Sequence, residues 1–379
     1  MKRFILAIDS FKGCLSSVEV ENAVEEGILS VFQESEIVKI PIADGGEGTL
    51  SALSHLYKCR IIHILAHDPL MRLIRTEYAI TEDGSTALIE MAKVCGLTLV
   101  SRSQRNPMTA TSFGLGELIL DAMNRGCKHF IIGLGGSATS DGGLGMLQAL
   151  KFNIFDENNH LLDLGGRFLS RVYRIEDRES SPRLKELHFT IACDVSSPLY
   201  GENGAACVFA PQKGADADMV QELDKGLYHY SLVLQEILGR DISKEKGVGA
   251  AGGLGAAFKL FPQVEFKSGI ELLLDLSHFE DLLQNADFVF TGEGRMDKQT
   301  LMGKVSWGVL RQALAKHIPV VALCGSLKDR DVLIRNGFSE VYPINPPYVP
   351  LSIALLSKFA YHRIRKTTSM ICGKMLHSI

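Results

Sequence analysis

No apolar stretch in the chain approaches the roughly 20 residues that a membrane-crossing helix needs, so a spanning protein is not expected. An excess of one charge is missing too. Forty Lys+Arg stand against forty-four Asp+Glu, a net charge of -4. That balance gives no field of the kind a nucleic-acid reader or polybasic membrane binder relies on. Proline is scarce at 12 of 379 residues, and no low-complexity tract or repeat appears. With 46% hydrophobic and 22% charged residues, wholesale disorder is excluded. Eight scattered cysteines, from Cys14 to Cys372, contain no Cys-x-x-Cys pair. A chain of this length needs no disulfide staples, so reduced thiols and a cytoplasmic location are expected. The opening apolar run meets Asp9 too early for a signal-peptide core. Several catalytic signatures are also missing. Gly303-Lys304 lacks the upstream Gly and the following Ser/Thr of a Walker motif. There is no His-Glu-x-x-His, no metal-like spacing among the eleven His, and no Gly-x-Ser-x-Gly elbow.

What remains is glycine, 36 of them, and clustered. The length suggests two domains or three. Phe4–Ile8 and Val38–Ile42 read as buried parallel strands, each running into a polar loop, Asp9-Ser10-Phe11-Lys12-Gly13 and Asp44-Gly45-Gly46-Glu47-Gly48-Thr49. Between them Ser16 and Glu19 form a capping-box pattern ahead of a helical face at Val20, Val24, Ile28 and Val31. In the middle, Leu73–Ile80 and Thr86–Glu90 read as a hairpin turning at Glu82-Asp83-Gly84. Helices are expected at Phe113–Asn124, capped by Thr111 or Ser112, and at Met219–Leu238. Strands are expected at His129–Leu134 and His188–Asp194. Asp156–Ser181 reads as loops and short elements. From Asp287 a strand–helix alternation returns, with strands at Asp287–Thr291, Pro319–Cys324 and Val341–Ile344, a helix near Lys304–Lys316 and a helical tail from Pro350. The expected fold is α/β with two α/β domains. Residues 1–65 and 285–379 form a Rossmann-like parallel-sheet domain from both chain ends, and 66–284 an inserted α/β domain.

Four glycine clusters carry the chemistry. Gly133 to Gly143 follows a strand and precedes a helix pattern. Its backbone amides, with the hydroxyls of Ser137 and Thr139, suit an anion, and a tight strand–helix connection is the plain alternative. Gly247-Val248-Gly249-Ala250-Ala251-Gly252 matches a dinucleotide fingerprint by letter, but charged Asp241–Lys246 precedes it where a strand is required. Close packing is the better reading of Ala250 to Gly255. Asp44 to Thr49 and Thr291-Gly292-Glu293-Gly294-Arg295-Met296-Asp297 each read as a turn bearing two acids, able to hold Mg²⁺ through water or to bond substrate hydroxyls, or simply to cap themselves. Lys12 is the best-placed cation, with Lys213 and Arg295 next. Asp194 closes an apolar run and is placed to accept a hydroxyl proton or to cap the next turn.

Taken together these segments resemble the bacterial glycerate kinase family over nearly the whole chain. The likeness runs through Asp9 to Gly13, Ala43 to Thr49, Glu90-Met91-Ala92, Gly133 to Gly143, Ala192-Cys193-Asp194-Val195, Pro198-Leu199, Gly204-Ala205, Pro211-Gln212-Lys213-Gly214, Gly249 to Gly255, Lys267-Ser268-Gly269-Ile270 and Thr291 to Asp297. This chain has Ser140 where the family pattern has Asn, and Lys151 and Met71 where it commonly has Gly. The resemblance implies ATP-dependent, Mg²⁺-assisted phosphorylation of D-glycerate, with 2-phosphoglycerate the favoured product. Alternatives are the 3-phosphoglycerate product, another small hydroxy acid as acceptor, a nicotinamide oxidoreductase, or a non-catalytic ligand sensor. For such a reaction the expected catalytic roles are Asp194 as base and Lys12 as neutralising cation. Nucleotide binding is expected of Gly135, Gly136, Ser137, Thr139, Gly252 and Gly253, and contact with substrate or its metal of Asp44, Glu293, Arg295 and Asp297; the alternative is that the Gly133–Asp141 loop holds glycerate's carboxylate instead. No metal ligand set is assigned. The expected partner is a small molecule, with neither nucleic acid nor membrane, and a homo-oligomer is compatible with the sequence.

Overall fold

The computed structural model describes residues 1–42, 48–177 and 182–377. Asp44 and its neighbours at 43–47 lie outside the described residues. Along the chain the strands are β1 Lys2–Ile8, β2 Ser35–Lys39, β3 Cys59–His67, β4 Leu73–Thr81, β5 Thr86–Glu90, β6 His129–Gly133, β7 Asn153–Phe155, β8 Arg174–Glu176, β9 His188–Ala192, β10 Gln263–Lys267, β11 Phe288–Met296, β12 Val320–Leu327 and β13 Glu340–Pro343. The chain divides into two compact units. One comprises residues 1–44, 51–56 and 269–379, the other 45–50 and 57–268. The α/β class expected from the sequence is what the strands form.

The first unit holds a five-stranded sheet in the order β13-β12-β11-β1-β2. Every pairing in it is parallel. Parallel strands are covered on both faces, which is why Phe4–Ile8 is wholly buried and reads as an unbroken apolar run. The helix Ser17–Leu29 begins at the capping box read from the sequence, with the Ser16 side chain accepting from the Glu19 amide and Glu19 from the Ser16 amide. Its buried Val20, Ala23, Val24, Gly27 and Ile28 repeat at helical spacing. At Gly27 a Cβ would stand 2.6 Å from the Cβ of Thr368, so a glycine is what lets this helix lie close on the C-terminal helix Ser357–His377.

The second unit holds a six-stranded sheet, β10-β9-β6-β5-β4-β3, and a small β7–β8 ribbon within the segment read as irregular. Four strands run parallel, β10, β9, β6 and β5. β4 is antiparallel to both β5 and β3, as the hairpin pattern predicted for the first of these.

The boundaries differ from those read in the sequence. The expected boundary at residue 65 falls inside β3, which pairs with β4 from Cys59 to His67 and so belongs whole to the second unit. The helices Gly269–Leu276 and Phe279–Leu282 belong to the first unit, ahead of the expected return at 285. In the described residues no helix is long and apolar enough to cross a membrane.

Candidate active site

In the second unit the carboxyl ends of four parallel strands finish on one register line, Glu90, Gly133, Ala192 and Lys267. Open α/β sheets bind their ligands at such an edge. The glycine-rich segment leaves β6 there. The Leu134 amide donates to the Ala192 carbonyl at 3.2 Å, the Leu97 amide to the Gly136 carbonyl at 2.9 Å and the Ala138 amide to the Cys95 carbonyl at 2.7 Å. Gly136, at φ +77, is exposed while Ser137 is buried. Asp194, two residues beyond the end of the neighbouring β9, is exposed.

The far end of the glycine segment is core. Asp141 is fully buried and accepts from the Ser112 amide (2.8 Å), the Ser112 hydroxyl (2.9 Å), the Thr111 hydroxyl (3.3 Å) and the Gly143 and Gly145 amides (3.2 Å each). Ser112 therefore stands at the N-cap of Phe113–Asn124 without capping it, because its hydroxyl serves Asp141. The helix Ala250–Phe258 packs on this end. Ala251, Gly252 and Gly253 have positive φ within it, and a Cβ on Gly252 would lie 2.3 Å from the Thr139 carbonyl oxygen. The Gly142 amide donates to the Gly252 carbonyl at 3.1 Å. Gly252 and Gly253 are thus buried against the glycine segment. No strand precedes Gly247–Gly252, since residues 241–249 form loop and turn, so the dinucleotide fingerprint lacks its structural context.

Lys213 lies beneath the same segment, 2% exposed. Its Nζ donates to the Ser137 hydroxyl oxygen at 2.8 Å and to the Thr139 carbonyl at 2.5 Å. Loss of solvation pulls this ammonium down to about 7, against an opposing pull from Asp141. A lone lysine in a sequence is most often a solvated charge, and only the fold reveals that this one is buried.

In the first unit the second acid-bearing "turn" is strand. β11 continues through Glu293, Gly294 and Arg295 to Met296, pairing Glu293 with Cys324, Arg295 with Ser326 and Met296 with Leu327. Gly292 is required there, because a Cβ would meet the Leu323 carbonyl oxygen at 2.2 Å. Glu293 accepts from the Thr300 hydroxyl at 2.7 Å and pairs with Lys304 at 3.2 Å. Burial pushes its carboxyl up, opposed by those two partners. Asp297 caps the short 3-10 turn Lys298–Met302 and takes Arg295 Nε at 3.0 Å. The Gln299 amide and then Arg295 hold it below the ordinary carboxylate range. Lys12 is exposed in the loop after β1, and that loop is tied to β11 by the Asp9 amide donating to the Gly292 carbonyl at 3.0 Å.

The structure thus groups the expected residues in two sets. Gly135, Gly136, Ser137, Thr139, Asp194, Gly252 and Gly253 belong to one unit, and Lys12, Glu293, Arg295 and Asp297 to the other. Sequence reasoning missed Thr300 and Lys304. Asp297 followed three residues later by Thr300 is a capping pattern that would have pointed to the first. Lys304 fits no nucleotide-binding motif, and its pairing with Glu293 is visible only in the fold.

A model described as the glycerate kinase family matches residues 4–376. The chain is 43% identical over 343 residues to a glycerate kinase of Haemophilus influenzae, covering 90% of this chain and 91% of that one. It is 42% identical over 343 residues to a glycerate 2-kinase of Escherichia coli K12, covering 90% of each. A crystal structure from Salmonella typhimurium LT2 described as a glycerate kinase 2 superposes with a TM-score of 0.88 at 38% identity, covering 100% of this chain and 99% of that one.

Proposed function

The chain belongs to the glycerate kinase family, enzymes that phosphorylate glycerate, and we propose that it transfers the γ-phosphoryl group of ATP to the 2-hydroxyl of D-glycerate. The hydroxyl oxygen attacks the γ-phosphorus as the bond to the β,γ-bridging oxygen breaks. The hydroxyl proton passes to the Asp194 carboxylate, and 2-phosphoglycerate and ADP leave. The observation that carries this reading is the juxtaposition at one sheet edge. An exposed carboxylate and a glycine-rich loop emerge from the carboxyl ends of adjacent parallel strands, β9 and β6. Phosphoryl transfer asks for positioning and charge neutralisation more than for covalent chemistry, and backbone amides beside a base supply both.

In this reading Gly135, Gly136 and Ser137 meet the ATP phosphates. Thr139, Gly252 and Gly253 serve nucleotide binding by fixing the loop's course. Lys12 neutralises charge at the transferring group. Asp44, Glu293, Arg295 and Asp297 serve glycerate or its metal. Arg295, with Nε held by Asp297, can offer its two terminal amino groups to a carboxylate. Mg²⁺ commonly takes one or two carboxylates, water and substrate phosphates. Among the described residues no three acids, histidines or cysteines gather as a metal site. The donor set therefore suits a cation that arrives on the nucleotide, where it supplies charge neutralisation between the phosphates. The 2-position of transfer is supported by the name of the Escherichia coli relative.

The test is Mg²⁺-dependent ADP release with D-glycerate, followed by NMR of the product. Phosphate on the 2-oxygen is expected; phosphate on the 3-oxygen overturns the position of transfer. Silence from folded protein moves the acceptor to another hydroxy acid. Asp194→Asn is expected to lower kcat at least 100-fold. A kcat/KM within about tenfold of wild type, about 1.4 kcal/mol, removes Asp194 as the base.

A further inference from the structure

A wholly buried ammonium is a poor device for stability. Its desolvation is costly, and an apolar side chain of similar length packs such a space without that cost. Lys213 must therefore be read by what it touches. It ends the 3-10 turn Pro211–Lys213, followed by Gly214 at φ +98. Replacing that glycine would bring a Cβ to 2.4 Å from the Arg105 carbonyl oxygen, so the turn is pressed against the 105 segment. From there Nζ bridges two points of the glycine segment, the Ser137 hydroxyl and the Thr139 carbonyl.

The bridge has a chemical consequence. An ammonium only donates, so the Ser137 oxygen is fixed as its acceptor and the Ser137 proton is left to be given elsewhere. Ser137 sits next to exposed Gly136, at the rim of the sheet edge where Asp194 emerges. While protonated, the ammonium also places positive charge against the loop, at the Ser137 hydroxyl and the Thr139 carbonyl, in a medium that screens it little. We infer that Lys213 is a positioning residue for anion binding: it holds Ser137 as a hydrogen-bond donor and charges the loop 135–139 from behind. This rests on the loop's binding an anionic substrate, the reading proposed above.

Asp141 favours the ammonium, and Arg105, which donates to the Gln212 carbonyl at 3.4 Å, is the cation of the adjoining segment. Burial keeps the Cys95 thiol and the Tyr230 hydroxyl neutral by raising both. With the ammonium near 7, loop charge is lost as the medium turns alkaline.

The experiment measures kcat and both KM values for wild type, Ser137→Ala, Lys213→Met and the double variant, together with a wild-type profile from pH 6 to 8.5. Lys213→Met is expected to raise the KM of one anionic substrate at least tenfold while the other stays within twofold. Ser137→Ala raises the same KM, and the double variant loses less than the product of the single losses. In wild type that KM rises through pH 7, and the rise disappears in Lys213→Met. A folded Lys213→Met with both KM values within twofold, an equal rise in both, or a double variant whose effects multiply overturns the inference. Should Lys213→Met fail to fold, a Ser137→Ala variant with both KM values within twofold of wild type does the same. The two readings separate cleanly. If the affected substrate is ATP, the nucleotide assignment of the loop stands with it. If it is D-glycerate, that assignment falls while the role of Lys213 stands.

Discussion

At the end of β11 in the first unit, charge is arranged by side chains: Lys304 and Thr300 on Glu293, Arg295 on Asp297. At the end of β6 in the second unit, the corresponding stretch is backbone, with glycines folded tightly on one another over a single buried ammonium. The two constructions respond differently to change. Outside the strand pairing that presses Gly292 against Leu323, the side-chain network leaves room at its glycines. Gly303 has nothing within 4 Å of a would-be Cβ, and Gly294 nothing closer than 3.9 Å. The far end of the backbone-built loop leaves none: a Cβ on Gly142, Gly143, Gly252 or Gly253 would lie within 2.8 Å of a neighbour.

The sharpest way to break this comparison is a matched pair of alanines. Gly252→Ala combines φ +71 with a backbone oxygen at 2.3 Å. It is expected to cost about 3 kcal/mol or more in urea unfolding. Gly303→Ala has φ +104 and open space, and is expected to cost about 1–2 kcal/mol. Equal losses would show that the two sites are not built differently.

A smaller effect tests the first unit's own exception. Glu21 is an acid in the core of the helix Ser17–Leu29, with 0% exposure. Burial drives its carboxyl well above the ordinary value, against weaker pulls from the backbone at Ile8 and Ile40 and from Lys39. A raised carboxyl keeps its proton in the folded chain where the unfolded chain has lost it. Stability therefore falls as pH rises from about 4.5 toward the folded value. Glu21→Gln is expected to gain about 1–3 kcal/mol at pH 8 and little at pH 4.5, read as a melting shift. A gain independent of pH would show that the acid is neutralised by a partner after all.

The smallest effects return to the second unit. Met71 at φ +59 and Lys151 at φ +70 hold the left-handed conformation without being glycine. The resemblance read in the sequence leads to an expectation of Gly at both. Met71→Gly and Lys151→Gly are each expected to stabilise by about 1 kcal/mol in urea unfolding. A loss at either would mean that side-chain contacts there outweigh the backbone strain.

Legibility in the sequence followed locality. The capping box at Ser16 and Glu19, the helix Phe113–Asn124 and the hairpin of β4 and β5 rest on neighbours a few residues apart, and each was readable. The extension of β11 was not. Glu293-Gly294-Arg295 has the composition of a turn, and only pairing with Cys324 to Leu327 makes it strand. The same limit applies to Lys213, whose burial is decided by Ser137 and Thr139, more than seventy residues away. Asp141 is the converse case: it reads as part of an anion loop, yet Ser112 and the loop amides consume its carboxylate.

The order of strands in the first sheet also bears on the chain's manufacture. β1 lies between β2 and β11, and Phe4 is registered against Phe288. One flank of β1 therefore has no mate until some 280 residues later have left the ribosome. The whole of the second unit's sheet, ending at Lys267, precedes that moment. During synthesis at ~5–20 residues per second, the inserted unit has all its strands in hand while the surrounding one waits, half-made, for its central strand.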